Sequence, residues 1–458
     1  MANEVNERRW LTVIFCLYFL LAVGYSLLMP IWEAPDEGAH FHLAWYLARK
    51  DQYATEEKNY EAAQPRGYYY FGSVIIRALD KINPDFSDYT YPHEFKYNIR
   101  IPERRFDWNA ENYRFLLGVY MLRWVNILFG ALASWLNWKA FQVIAPDSPW
   151  LRMAALALMA LTPQYLHIMS SVNNDALGTV AGALLFYFAI QIVSRSQRSD
   201  DFSRSAQPAT DPTGTLRRVA TTFLSLFTVI LAIILPLTTK LTVLPVSAAV
   251  LIIVAGKLLF SFRGKRWLII SGFVMLVGLS LLYVFFPETI RTVESEITWR
   301  LFGLRKKGVD IEYLITITRQ ILQTYWGKVG WLAVGLPAWV VNSLTALGFV
   351  GAGIHIYRLI KLITKEPQFT LWIATFMIAL FTILAVARNG LTTGATQGRL
   401  LFPAIGALSI LMVSGWHNLL PEKHQRKLAW IVIALMSLLT IALWIFGIVP
   451  IYFQPFLD

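Results

Sequence analysis

Charge is scarce in this chain and cysteine almost absent. Only 15% of the 458 residues are Asp, Glu, Lys or Arg and 56% are hydrophobic, whereas a soluble globular protein carries about 25% charged residues. The hydrophobic residues fall in repeated runs of about 20, the length that crosses a hydrocarbon core of about 30 Å, so an ordinary water-soluble domain is excluded. One cysteine, Cys16, lies inside the first run, and no intramolecular disulfide can form. Phosphate-cradling loops, nucleophile elbows and an HExxH zinc motif are missing. No convincing internal repeat is present, which argues against a transporter built from inverted halves. The net charge of +12 does not point to nucleic acid, because many basic residues sit at run ends and in short loops, where they hold membrane topology.

The runs predict an all-α polytopic membrane protein, a single integral domain over 1–458. Eleven spans are expected, near 10–29, 114–136, 151–168, 172–193, 219–238, 241–260, 267–286, 333–357, 370–388, 400–418 and 427–449. The first run lacks the short apolar core and cleavage site of a signal peptide and is kept as a helix. With the N-terminus in the cytoplasm, Arg8/Arg9, Arg263/Lys265/Arg266, Arg358/Lys361 and Lys423/Arg426/Lys427 all fall on one side, as positive-inside topology requires. The two long connections, 30–113 and 287–330, are then external. Acids outnumber bases 14 to 10 in the first. Its segments Ala39–Leu47 and Tyr68–Leu79 have the pattern of juxtamembrane helices, the second interfacial and amphipathic. The Ser/Arg/Asp-rich stretch 194–218 reads as a flexible cytoplasmic linker.

What lipid anchoring does not need is the cluster Trp32-Glu33-Ala34-Pro35-Asp36-Glu37-Gly38-Ala39-His40 at the first membrane edge. Ionisable groups beside a bilayer are costly enough to suggest function. Asp36 and His40, and Glu37 and His40, share a helical face. Two readings stand: Asp36 as N-cap with Glu37 a first-turn charge, or a catalytic carboxylate pair able to take a hydroxyl proton. A divalent metal such as Mg or Mn on Asp36, Glu37 and His40 is a further option, short of ligands from these residues alone.

Four other blocks carry candidates. Arg399 in Gln397-Gly398-Arg399, with Arg388 before it, suits a phosphate gripped in bidentate fashion; the alternative is an arginine snorkelling to head groups. Lys240 sits in a tight external turn, where an anionic ligand or snorkelling would account for it. Asp175 follows Asn173 and Asn174 at the external end of a span; Asn173 reads as a cap, and Asp175 as a group binding sugar hydroxyls or supporting Lys240. Tyr69, with Gln64-Pro65-Arg66, and Trp326, Lys328 and Trp331 read either as an interfacial aromatic belt or as a wall facing sugar and phosphate.

The Pro35-Asp36-Glu37-Gly38-Ala39-His40 cluster and these blocks, taken in their order along the chain, resemble the GT-C superfamily of membrane glycosyltransferases. They are most similar to the bacterial membrane family described as domain of unknown function 2142, departing from its pattern at Arg66-Gly67. The resemblance implies a GT-C bundle in a bacterial inner membrane with its site facing the periplasm. It implies an inverting transfer of sugar from a polyprenyl-phosphate donor to a hydroxyl on a glycan or lipid acceptor. Asp36 is then the base, with Glu37 or His40 orienting it. Arg399, Lys240 and Arg388 hold the donor phosphate, and His40, Asp175, Gln397, Tyr69, Trp326, Lys328 and Trp331 hold the substrates. The rivals are a transporter or flippase of a lipid-linked anion, for which Arg123 inside span two is the one fitting residue, and a glycan ligase or polymerase.

Overall fold

A computed structural model describes residues 2–50, 52–53, 59–82, 113–204, 212–261, 310–361, 368–393 and 396–453. Fifteen α-helices account for nearly all of it: α1 Ala2–Leu28, α2 Glu37–Lys50, α3 Gly67–Ile82, α4 Tyr113–Ile144, α5 Pro149–Ala160, α6 Pro163–Met169, α7 Asp175–Arg204, α8 Pro212–Thr238, α9 Leu244–Ser261, α10 Ile311–Trp326, α11 Ala338–Lys361, α12 Phe369–Thr393, α13 Ile405–Leu419, α14 Glu422–Leu443 and α15 Val449–Tyr452. A two-residue hairpin, Lys328–Val329 with Val334–Gly335, follows α10.

Among the described residues, eight helices are long and apolar enough to cross a membrane: Glu7–Leu28, Leu116–Ile144, Asp175–Gln197, Val219–Thr238, Ala338–Lys361, Phe369–Thr393, Gly398–Leu419 and Glu422–Tyr452. Their outward faces stay apolar, with Phe223, Phe349 and Phe446 exposed, a pattern stable only against lipid. The chain is an integral membrane protein.

The other expected spans fare differently. The run 241–260 gives a short apolar helix, α9, after a 3-10 turn at Leu241–Val243. The run 151–168 divides into α5 and α6 at Leu161-Thr162, because Pro163 has no N–H to continue the ladder. Both halves are buried from Leu151 to Met169, so the break is sheltered by protein rather than open to lipid. The run 267–286 and the stretch 287–309 lie outside the described residues. Most of 194–218, read from composition as a linker, is helical: α7 continues to Arg204 and α8 begins at Pro212. Polar Arg, Gln and Ser residues end a membrane face without ending a helix, since none of them breaks the backbone ladder.

Two short helices form over the segments Ala39–Leu47 and Tyr68–Leu79, as α2 and α3. In α3, Tyr68, Tyr69, Gly72, Ser73 and Ile76 are buried, while Tyr70, Phe71 and Val74 are exposed. Together α2 and α3 cap the end of the bundle where α1, α4 and α7 meet, with Phe41, Leu43, Tyr68 and Leu116 in a core of their own.

Candidate functional site

The adjacent acids Asp36 and Glu37 point to different partners. Glu37 opens α2 and is completely buried. Its Oε1 accepts from Arg123 Nε at 2.7 Å and from the Val172 amide at 2.9 Å; its Oε2 accepts from Arg123 Nη2 at 2.6 Å and from the Trp32 amide at 3.0 Å. Arg123 is equally saturated. Its remaining N–H groups reach the carbonyls of Ser26, Met29 and Pro30 at 2.6, 2.9 and 3.2 Å, so all five guanidinium donors are used. The pair ties the end of α1, the start of α2, α4 and the Val172 turn into one unit. Removing one partner of such a buried pair costs about 3–5 kcal/mol. Glu37 therefore has no oxygen left for a substrate, and its place in the sequence reading as a catalytic or metal-binding acid gives way to a positioning role. Arg123, the residue that favoured a transporter, is used up in the same lock.

Asp36 instead adopts φ 62°, a left-handed conformation that Asp tolerates better than most residues. An N-cap normally has extended backbone. Here the Asp36 side chain reaches across the bundle to Arg399, Nη2 to Oδ2 at 2.7 Å. Arg399 Nη1 lies 3.4 Å from Asp175 Oδ2, and Asp175 Oδ1 is 2.7 Å from Lys240 Nζ. Four charges from four distant segments thus alternate in a chain. Asp36 is the most accessible, with 19% of its side chain exposed against 2% for Asp175. Among the described residues Arg399 Nε and Nη1 are buried without a hydrogen bond, Nη1 being held only by its ion pair with Asp175, so the guanidinium has donors to offer another anion.

The Arg399 segment is held by close backbone packing. Gln397 precedes a 3-10 turn at Gly398–Ala404, and the Gly398 amide donates to Thr324 Oγ1 at 2.6 Å. A Cβ on Gly398 would lie 2.3 Å from the Ile321 carbonyl oxygen and 2.4 Å from the Tyr325 nitrogen, a spacing only glycine allows. Gln397 is half-buried, with its Oε1 unpartnered.

Glu61, absent from the candidates drawn from sequence, completes the carboxylate side. Asn59 accepts from the Glu61 amide at 2.9 Å and donates to the Ala39 carbonyl at 2.9 Å, which docks the Tyr60–Ala63 turn on α2. Ligand atoms of Asp36, His40 and Glu61 then lie within 4.8 Å of one another. Burial, reinforced by Asp36 and opposed by Lys240 and Arg399, raises the Glu61 carboxyl to about 7. His40 is lowered to about 3 by burial and Lys240, with Asp36 opposing, and is neutral. Its Nδ1 lies 2.8 Å from the Tyr69 hydroxyl, leaving Nε2 for another partner. Two carboxylates and an imidazole are a donor set that fits a divalent cation, with Glu61 in the place the sequence reading gave to Glu37.

The remaining candidates divide. Tyr69 is fully buried and meets His40 and Asn174, so it supports the site from behind. Asn173 Oδ1 accepts from the Ala176 amide at 3.2 Å, the capping contact expected of it. Trp331 Nε1 donates to the Trp32 carbonyl at 2.8 Å, bracing the acidic turn. Trp326 donates to Thr345 Oγ1 and Lys328 Nζ to Gln323 Oε1, so neither joins the charge chain. Trp326 lines a separate apolar cleft with Tyr325, Phe349 and Met412. Arg388 lies at a cleft of about 370 Å³ walled by Leu241, Thr242, Pro245, Phe381 and Leu400. Its apolar walls include the residues directly following Lys240 and Arg399.

No family model matches the chain, and no curated protein does. Among solved structures, it is similar to ArnT from Cupriavidus metallidurans bound to undecaprenyl phosphate: 12% identity, TM-score 0.47, covering 97% of this chain and 73% of that one. The apo state of the same protein gives 13% identity and TM-score 0.46 over 99% of this chain and 75% of that one. The archaeal oligosaccharyltransferase AglB from Archaeoglobus fulgidus, in complex with an inhibitory peptide and a dolichol-phosphate, gives 12% identity and TM-score 0.44; 97% of this chain covers 55% of it. Likenesses this distant leave the chemistry to be argued from the charge chain and its neighbouring cleft.

Proposed function

We propose that the chain is a GT-C-type glycosyltransferase of a bacterial inner membrane, moving a sugar from a polyprenyl-phosphate donor to a hydroxyl acceptor at the periplasmic face with inversion. The observation that carries this reading is the junction of an accessible carboxylate, Asp36, with the cations Arg399 and Lys240 beside an apolar cleft. A lipid phosphate needs that combination, cations for its head and an apolar channel for its tail. Asp36 takes the proton of the acceptor hydroxyl, which attacks the anomeric carbon from the face opposite the phosphate. The bond from anomeric carbon to phosphate oxygen breaks, and its electron pair leaves with the polyprenyl phosphate. Arg399, through Nε and through Nη1 when it turns from Asp175, and Lys240 stabilise the charge growing on that oxygen, an effect that often dominates catalysis. Arg388 guides the phosphate at the cleft, and Gln397 and Asp175 orient the sugar. Asp36, His40 and Glu61 would hold a divalent metal, which supplies charge neutralisation between the acids and the donor phosphate when bound.

The test is release of labelled sugar from synthetic polyprenyl-phosphate monosaccharides by purified protein, with Asp36→Asn alongside. Donor turnover by the wild type alone supports both the activity and the base. An intact donor across a panel of sugars and acceptors would transfer weight to a flippase or an oligosaccharide ligase.

A further inference from the structure

At the other end of α12, where Trp372 lies 16 residues and about 24 Å from Arg388 at a rise of about 1.5 Å per residue, is a polar cavity. Its volume is about 220 Å³, and Ser148, His355, Arg358, Gln368 and Asn418 line it with Asp147. Four segments meet there: the turn into α5 and the ends of α11, α12 and α13. None of these residues takes part in the charge chain around Asp36.

Hydrogen-bond donors without acceptors define its chemistry. His355 is 3% exposed. The Asn418 side-chain amide donates to its Nδ1 at 3.3 Å, so the ring proton resides on Nε2, which is buried and has no partner among the described residues. The imidazole is fixed against Trp372, ring centroids 4.1 Å apart. Arg358 gives one Nη1 hydrogen to the Asn418 carbonyl at 3.0 Å; its Nε and Nη2 make no hydrogen bond among the described residues. Two helices also begin here, α5 after Ser148 and α12 after Gln368. Ser148 makes no side-chain cap to the first turn of α5. Helix N-termini with an arginine and an N–H donor form an oxyanion site. Asp147, exposed at the rim, offsets one positive charge and disfavours a highly charged anion.

We propose that this cavity binds a singly charged phosphate oxyanion, the phosphodiester of a phospholipid headgroup or a free phosphate, at the face opposite the Asp36 site. Specific binding to the folded state raises the melting temperature saturably. The test titrates detergent-solubilised full-length protein with dihexanoylphosphatidylglycerol, with inorganic phosphate, and with potassium chloride at matched ionic strength. A saturable rise with the short-chain lipid, needing at least tenfold more lipid in Arg358→Gln, is the expected result. The same Arg358-dependent rise with inorganic phosphate would support the oxyanion site and identify a free phosphate as its occupant. If Arg358→Gln fails to fold, His355→Phe, which keeps the contact with Trp372 and removes the donor, serves instead. No saturable rise with either anion, or a rise unchanged in the variants, would overturn the proposal.

Discussion

Two neighbouring acids, one peptide bond apart, show how position sets the role of a carboxylate. Glu37 and Asp36 each face an arginine at 2.6–2.7 Å. The Glu37–Arg123 pair is fully buried and every hydrogen-bonding position on it is filled; the Asp36–Arg399 pair lies at an opening, and its arginine keeps unused donors. The first arrangement fits a fixed joint and the second a ligand-binding site. The positive φ at Asp36 separates them, because it turns the two side chains in different directions.

The sharpest way to break this contrast is Asp36→Asn, which keeps the side-chain shape and removes the base. Loss of a general base costs about 10²–10⁴ in rate, so transfer should fall by that factor while the melting temperature stays near wild type. Glu37→Gln should do the reverse. With Arg123 left in an apolar interior, stability is expected to drop by about 3–5 kcal/mol, read as a lower melting temperature or loss of folded protein in detergent. Gly398→Ala should come next, since its Cβ has no room beside the Ile321 carbonyl. Transfer should fall more than stability as the Arg399 segment is pushed from α10, seen by comparing initial rates with melting curves. Chelation of divalent metal should lower transfer if Asp36, His40 and Glu61 bind one, and Glu61→Gln should then raise the metal concentration needed for half-maximal rate. The smallest effect is expected for Arg388→Gln, a several-fold rise in KM for the donor with little change in kcat.

Much of this molecule was legible in sequence because lipid imposes a length and a composition on each span. The runs at 370–388 and 400–418 fall within helices long and apolar enough to span, and those at 10–29 and 114–136 overlap such helices to within two residues. The site was legible in part. Asp36, His40, Asp175, Lys240 and Arg399 stood out because ionisable groups near a bilayer are expensive, and the fold brings all five together. What the sequence hid was pairing. Arg123 looked like a charge in mid-span, and only its 86-residue reach to Glu37 explains it. Glu61 lies between Glu57, Lys58 and later Arg66, where an acid resembles solvated loop; its role depends on the Asn59 contact with α2. Trp326 and Lys328 carried the pattern of a binding wall, but their partners Thr345 and Gln323 are set by the hairpin after α10, which no periodicity announces.

The most direct measurement places Asp36→Asn and Glu37→Gln side by side, each assayed for sugar release from a polyprenyl-phosphate donor and for melting temperature. The expected result is a crossed pattern: Asp36→Asn folded and inactive, Glu37→Gln destabilised, with activity per folded molecule close to wild type. Turnover in Asp36→Asn near the wild-type rate, with Glu37→Gln stable and inactive, would contradict the assignment of base and joint.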